Sequence, residues 1–190
     1  MNANSNYAIT VDHCLFENLR EGIHLSLVDN VVLTRNKFEL NNAHPTDITE
    51  MYQCNLEFSS GFKVEGNLFV NGTTGDQTIG MITQWAGNEQ NQIYRNKFEN
   101  MTVANASVGY NSNGSALGDA ATGLQWLCNE YVSSTIADQL IEDAGIYDPG
   151  AGGVRFRQGS MSQSTGNQYS DALGAPLIRD PLSIIVTQKT

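Results

Sequence analysis

The pentapeptide Arg-Asn-Lys-Phe-Glu occurs twice in this chain, at residues 35–39 and again at residues 95–99. An identical string at two distant places indicates an internal repeat, and a repeat restricts the possible folds more than any local propensity does. Aligning the chain on the aromatic residue of this string gives six stations, which carry Phe16, Phe38, Phe69, Phe98, Tyr131 and Tyr169. The intervals between stations range from 22 to 38 residues, so the repeat has an irregular period.

Two further positions recur at these stations. Two residues before the aromatic residue, the first station has Cys14 and the other five have Asn36, Asn67, Asn96, Asn129 and Asn167. An apolar pair separated by one residue precedes the asparagine at most stations, as Val31 and Leu33 do. Residues two apart lie on the same face of a strand, whereas asparagine favours bends because it tolerates left-handed backbone and bonds to nearby main chain. Each station therefore predicts a strand, a bend at the asparagine and a second strand whose aromatic residue points inward.

One such coil cannot bury its apolar face alone, but stacked coils cover one another. Equivalent strands in a stack lie about 4.8 Å apart, so equivalent asparagines form a ladder and equivalent aromatic rings stack inside. We therefore predict an all-β fold, a parallel β-helix of about six to seven irregular coils, with residues 1–190 as a single domain.

The repeat unit at residues 31–41 reads apolar-x-apolar-x-x-Asn-x-Phe-x-x-Asn. It resembles the right-handed parallel β-helix family, the pectate-lyase-like solenoids, and this resemblance covers nearly the whole chain. The segments 123–131, 153–160 and 166–170 are similar to β-helical regions of large surface proteins exported by the type IX secretion system. The two resemblances imply a right-handed solenoid at an extracellular or cell-surface location.

Some segments depart from the repeat. Protruding loops are predicted near 43–50, 103–122 and 145–153, where Pro, Gly, Asn and Ser are concentrated. Residues 134–144 have apolar spacing that fits a helix, whereas the resemblance places a strand there. The last predicted strand, 182–187, stops without a cap. We therefore expect the chain to be a fragment of a longer protein, or to be capped by a partner.

The charge of the chain excludes some partners. Ten Lys and Arg against twenty Asp and Glu give a net charge of −10, whereas a nucleic-acid-binding protein needs a basic surface. No apolar run approaches the roughly 18 residues of a membrane span, so we expect no membrane insertion. Residues 1–6 do not resemble an export signal.

The three cysteines, Cys14, Cys54 and Cys128, lack the paired spacing of a zinc site or of a disulfide framework. Cys14 occupies the asparagine position and is expected to be buried, whereas Cys128 is expected to point outward. A bridge between these two is improbable because four coils separate them. We predict no cofactor; calcium binding by aspartates near the glycine-rich turns has no ligand-spacing motif to support it.

Sharp catalytic motifs do not occur in the sequence, and neither do the Asn-Thr-Asp, Gly-Asp-Asp and Gly-His-Gly triplets typical of uronate-cutting members of the resembled family. Two columns of polar residues remain on the predicted outer face. One column contains His13, Arg35 and Arg95, and the other contains Glu17, Glu39 and Glu99. Aligned arginines and glutamates either cradle a sugar or form solvated ion pairs of small energetic value.

The two tryptophans have different predicted positions. Trp126 occupies an inward position of the repeat and is expected in the core, whereas Trp85 lies beside Gly87 and is the candidate for an exposed sugar-stacking ring.

The sequence favours a non-catalytic, stalk-like or adhesin-like segment with a polysaccharide or surface partner. A first alternative is a carbohydrate-active module, a polysaccharide lyase or glycoside hydrolase whose site is incomplete or lies on the outer face. A second is a phage tailspike-like receptor binder, which would be expected to form trimers.

Overall fold

A computed structural model of the chain describes residues 9–42, 51–73, 77–87, 89–111, 122–142, 154 and 165–170. Across these residues the protein is all-β, with fifteen strands and no helix. The strands form three sheets of five strands each, and every pairing is parallel. This confirms the parallel β-helix predicted from the repeat.

Each coil of the helix contributes one strand to each sheet. Coil 1 contains β1 (Thr10–Asp12), β2 (Leu15–Glu17) and β3 (Glu21–Ser26). Coil 2 contains β4 (Val32–Thr34), β5 (Lys37–Leu40) and β6 (Met51–Glu57). Coil 3 contains β7 (Lys63–Glu65), β8 (Leu68–Asn71) and β9 (Thr78–Gln84). Coil 4 contains β10 (Gln90–Tyr94), β11 (Lys97–Glu99) and β12 (Val103–Val108), and coil 5 contains β13 (Gly123–Leu127), β14 (Glu130–Val132) and β15 (Ala137–Glu142).

The sheets are built from every third strand. The first sheet has the order β1-β4-β7-β10-β13, the second β14-β11-β8-β5-β2 and the third β15-β12-β9-β6-β3. The described residues thus contain five complete coils, fewer than the six to seven predicted. A parallel bridge between Glu130 and Gln168 continues the stack to the sixth station.

A column of six aromatic rings runs through the interior. Neighbouring rings from Phe16 to Phe98 are stacked at centroid distances of 4.7 Å with interplanar angles of 8° or less. The column continues through Tyr131 and Tyr169 at 5.5 and 5.7 Å. Phe38, Phe69 and Phe98 are buried, as predicted. The ring spacing matches the strand spacing, so the column follows directly from the in-register pairing of the coils.

The turn between the first and second sheets differs from its predicted geometry. The left-handed backbone conformation belongs to the residue before each ladder position, with φ between 54° and 69°, at His13, Arg35, Gly66, Arg95, Cys128 and Gly166. The sequence predicts this conformation at the asparagines themselves, and the structure corrects that prediction by one residue. The left-handed residue turns the chain and points its own side chain outward, which leaves the next side chain directed inward.

The asparagines form the predicted ladder, and Asn67 shows its bonding pattern. Its side-chain oxygen accepts the backbone N–H of Asn36 at 2.9 Å and the Asn36 side-chain amide at 3.0 Å. Its own amide donates to the carbonyl oxygen of Leu33 at 3.0 Å. The same three bonds recur from Asn96 to Asn67, from Asn129 to Asn96 and from Asn167 to Asn129. Buried polar groups of the turn are thereby satisfied one coil at a time.

Cys14 corrects one prediction, because its side chain is exposed and not buried. Its backbone N–H still donates to Asn36 at 2.9 Å, as a ladder member would. Coil 1 is the first coil of the described residues, so none of them covers Cys14 from the other side. Cys128 is exposed as predicted, and no disulfide joins the three cysteines.

The predicted loop over 103–122 is wrong at its start, because Val103–Val108 is strand β12. This strand pairs with β9 on one side and β15 on the other, and its small inward residues, including Ala104 and Ser107, fit the interior between those neighbours. Strand β15 also settles the choice within 134–144 in favour of a strand. The predicted loops 43–50 and 145–153 and the predicted strand 182–187 lie outside the described residues. In the part of the chain that is described, no helix has the length and apolarity needed to cross a membrane.

Candidate functional site

Arg35 and Arg95 lie two coils apart on the outer edge of the first sheet, with Gly66 between them in the same turn position. A shallow cleft of about 340 Å³ is lined by Thr34, Arg35, Glu65, Gly66 and Arg95. Gly66 has no side chain to fill it, and a Cβ built there would meet only the Cγ of Arg35, at 4.0 Å. We call this feature the arginine cleft.

Arg35 forms one wall of the cleft and is already paired. Its Nε donates to Oδ1 of Asp12 at 2.9 Å and its Nη2 to Oδ2 at 2.5 Å. The hydroxyl of Thr34 also donates to Asp12, at 2.7 Å. Hydrogen bonds from Arg35, followed by the one from Thr34, hold the pKa of the Asp12 carboxyl well below its usual range. The charge of Arg35 is therefore compensated by Asp12, a partner that the sequence interpretation did not identify.

Arg95 forms the opposite wall and is bound differently. Its guanidinium carbon lies 4.8 Å from the centroid of the Tyr94 ring, a cation–π contact. Among the described residues, no carboxylate lies within ion-pair distance of Arg95. Arg95 thus presents to the cleft a guanidinium that no carboxylate of the described residues compensates, and an aromatic ring positions it.

Glu65 lies between the two arginines in the lining, and its carboxylate is 2.5 Å from the Nζ of Lys63. A planar guanidinium with free N–H donors matches a carboxylate in bidentate fashion. The cleft thus has the chemistry of a binding site for an anionic group.

The glutamate column lies on the second sheet, and two of its three members contact lysines. Lys37 contacts Glu39 at 2.6 Å, and Lys97 contacts Glu99 at 2.8 Å. The hydrogen bond from Lys37 lowers the pKa of the Glu39 carboxyl. Val70 lies between Glu39 and Glu99 in the sheet and pairs with each of them. Glu17, by contrast, is the direct neighbour of Glu39. Among the described residues, no ion pair or hydrogen bond connects the arginine column with the glutamate column.

Trp85 belongs to a second turn column, at the ends of the strands of the third sheet. Leu27, Phe58, Trp85 and Gly109 all have positive φ there. Trp85 is 38% exposed, and its ring stacks on the ring of Phe58 with the two centroids 6.5 Å apart. On the side of the following coil, a Cβ on Gly109 would lie 2.6 Å from the ring, so the indole rests on that glycine. Both faces of the indole therefore have neighbours.

The outer face of the third sheet carries an apolar cluster that the sequence interpretation missed. Ile82, Val103 and Ala106 are buried there, with four partly buried neighbours: Tyr52, Ile79, Val108 and Leu140. Their sequence neighbours Met81 and Ala104 belong to the interior cluster. Because adjacent strand residues point to opposite faces, the cluster lies on the outer face. Trp126, by contrast, is buried in the interior, as predicted.

No group of three His, Cys, Asp or Glu side chains in the described residues is arranged to hold a metal ion.

Comparison of the chain with protein-family models, with curated proteins and with solved structures gives no match.

Proposed function

We propose that this chain is a non-catalytic β-helical segment of a large secreted or cell-surface protein, of the kind exported by the type IX secretion system. Its role would be that of a stalk or adhesin-like element that presents its outer faces to a polysaccharide or to a surface partner, with the remainder of a parent chain or a capping partner covering its ends. The observation that carries the proposal is the unbroken interior, where the aromatic column passes through every described coil and the asparagine ladder runs from coil 2 to the sixth station.

A continuous interior supports a mechanical role because each coil is bonded to the next by the same buried contacts. The ladder bonds connect consecutive coils at the turn, and the parallel sheets connect them along three faces. Stability in such a solenoid is the sum of coil terms and nearest-neighbour interfaces. A rod of this kind transmits load along its axis and keeps its outer side chains at a fixed spacing.

The outer carboxylates favour presentation over hydrolysis. A glycosidase needs two carboxyl groups about 5 to 10 Å apart that act from opposite sides of the scissile bond. Glu17, Glu39 and Glu99 lie in single file on one sheet, and Glu39 and Glu99 are each held by a lysine. Carboxylates on one exposed face approach a sugar from the same side.

Incubation with a polysaccharide panel tests this proposal. The purified chain, with and without calcium, is expected to release no reducing ends and no unsaturated uronates, while a glycan array or a surface-protein screen reports binding. Product formation that is lost in Glu17→Gln, Glu39→Gln or Glu99→Gln but kept in the control Glu89→Gln would overturn it in favour of a carbohydrate-active module. Light scattering supplies a further check, because a trimer would favour a tailspike-like receptor binder.

A further inference from the structure

We propose that the arginine cleft binds a hydroxylated monocarboxylate, with the carboxylate on Arg95 and neutral hydroxyl groups directed to the rest of the lining. This inference goes beyond the proposed function, because it concerns one defined ligand site and holds whether or not the chain serves as a stalk.

Arg95 is the reason that the ligand carries a carboxylate. The protein has twice as many acidic as basic residues, yet this guanidinium has no carboxylate partner in the described part of the chain. Its contact with the Tyr94 ring restrains the side chain before any ligand arrives. A restrained planar guanidinium loses less conformational entropy on binding and accepts a carboxylate through two parallel hydrogen bonds.

Gly66 provides the room for the ligand. Glycine is favoured by a positive φ, but the equivalent turn positions in the neighbouring coils hold Arg35 and Arg95 with φ of 55° and 54°. The turn itself therefore accepts a larger residue at this position, and the gap is a feature of coil 3. Strands two coils apart are separated by about 10 Å, so the missing side chain leaves a notch between the two arginines.

The other charges of the cleft limit the ligand to one negative charge. Asp12 compensates Arg35, and Glu65 adds a carboxylate that Lys63 compensates. One positive charge, that of Arg95, then remains for the ligand. A doubly charged anion would meet the carboxylate of Glu65 in the same lining, whereas hydroxyl groups can donate to Glu65.

A titration followed by nuclear magnetic resonance tests the site. Gluconate is the probe, sorbitol is its neutral counterpart, and sulfate is a doubly charged anion. We expect gluconate to shift the Arg95 Nε–H and Gly66 amide signals saturably, sorbitol to leave them unchanged, and sulfate to bind at least about tenfold more weakly. Arg95→Gln is expected to weaken gluconate binding about tenfold or more, since it removes a charge-assisted bidentate contact.

Two further variants complete the design. Gly66→Asn places a side chain in the notch while keeping a residue that tolerates positive φ, and we expect it to weaken gluconate binding as strongly. Arg20→Gln removes one exposed arginine away from the cleft and is expected to leave binding unchanged. If Gly66→Asn does not fold, the exposed Arg95→Gln substitution still tests whether the cleft binds gluconate.

Three outcomes would each overturn the proposal: equal gluconate binding by wild type and Arg95→Gln, no saturable shift at all, or sulfate binding as tight as gluconate binding. None of these outcomes bears on polysaccharide turnover, so the stalk proposal is tested separately.

Discussion

The side-chain oxygen of Asn96 accepts two hydrogen bonds from Asn67, one from its backbone N–H and one from its side-chain amide, both at 2.9 Å. The Asn96 amide in turn donates to the carbonyl oxygen of Val64 at 2.9 Å. Only a side chain of this length with both a carbonyl oxygen and an amide can make all three bonds. An ionised aspartate cannot donate the bond to the carbonyl oxygen, and leucine can make none of the three. The repeated asparagine is thus a structural requirement of the turn.

Replacement of Asn67 by alanine should destabilise the protein strongly. It leaves the backbone N–H of Asn36 and the carbonyl oxygen of Leu33 without their partners in a buried turn, and each such loss costs about 1–3 kcal/mol. We expect a decrease in the free energy of unfolding of about 2–4 kcal/mol, measured by urea denaturation. The control Gln90→Ala, at an exposed position of β10, should change it by less than about 0.5 kcal/mol. Similar losses for the two variants would refute the role given to the ladder.

Replacement of Phe69 by alanine should open a cavity in the middle of the aromatic column. Phe69 is fully buried between Phe38 and Phe98, and a buried phenylalanine truncated to alanine typically costs 3–5 kcal/mol, so we expect about that loss. Lys37→Ala removes only an exposed ion pair with Glu39 and should cost less than about 1 kcal/mol. Urea melts of both variants check the inward and outward directions, and an equally destabilised Lys37→Ala would show that the assigned register is wrong.

The three cysteines should differ in reactivity. Burial, followed by the nearby charge of Glu21, raises the pKa of the Cys54 thiol to about 12. Because the thiolate is the reactive form, Cys54 should remain unmodified at pH 8 in the folded protein, whereas the exposed Cys14 and Cys128 react. A thiol-specific reagent such as Ellman's reagent should count two thiols in buffer and a third only after denaturation. Three thiols counted in buffer would contradict the burial of Cys54.

Asp12 should titrate at unusually low pH because of Arg35. A carboxyl group whose pKa is lower in the folded than in the unfolded chain stabilises the fold above the unfolded value of about 3.9, and this contribution is lost as the pH falls towards the folded value. We expect Arg35→Gln to raise the pKa of Asp12 towards about 3.9, observed by carbon-13 resonance of the carboxyl group. The wild type should also lose its stability advantage over this variant below about pH 4. Arg95→Gln, the matched control, should leave the titration of Asp12 unchanged; an equal upward shift in both variants would mean that net charge and not the direct contact sets this pKa.

The sequence alone determined the class of fold and the register of its interior. The spacing of asparagine and aromatic residues indicates which side chains face the core, because equivalent residues in stacked coils share one environment. Asn36, Asn67 and Asn96, and likewise Phe38, Phe69 and Phe98, were therefore placed correctly. The same register put Arg35 and Arg95 on the outer surface as candidate ligand-binding residues.

Only the tertiary structure decided which residues of different coils contact one another. The pairing of Arg35 with Asp12 and the notch at Gly66 join residues 20 to 60 positions apart, and the irregular loop lengths between stations hide such neighbours from the sequence. The left-handed residue in the turn could not be assigned from propensity, because the buried hydrogen bonds of the asparagine outweigh its preference for that conformation. Residues 103–108 became a strand for the same reason: pairing with β9 and β15 overrides a loop-like composition, since the environment of a strand is set by the strands beside it.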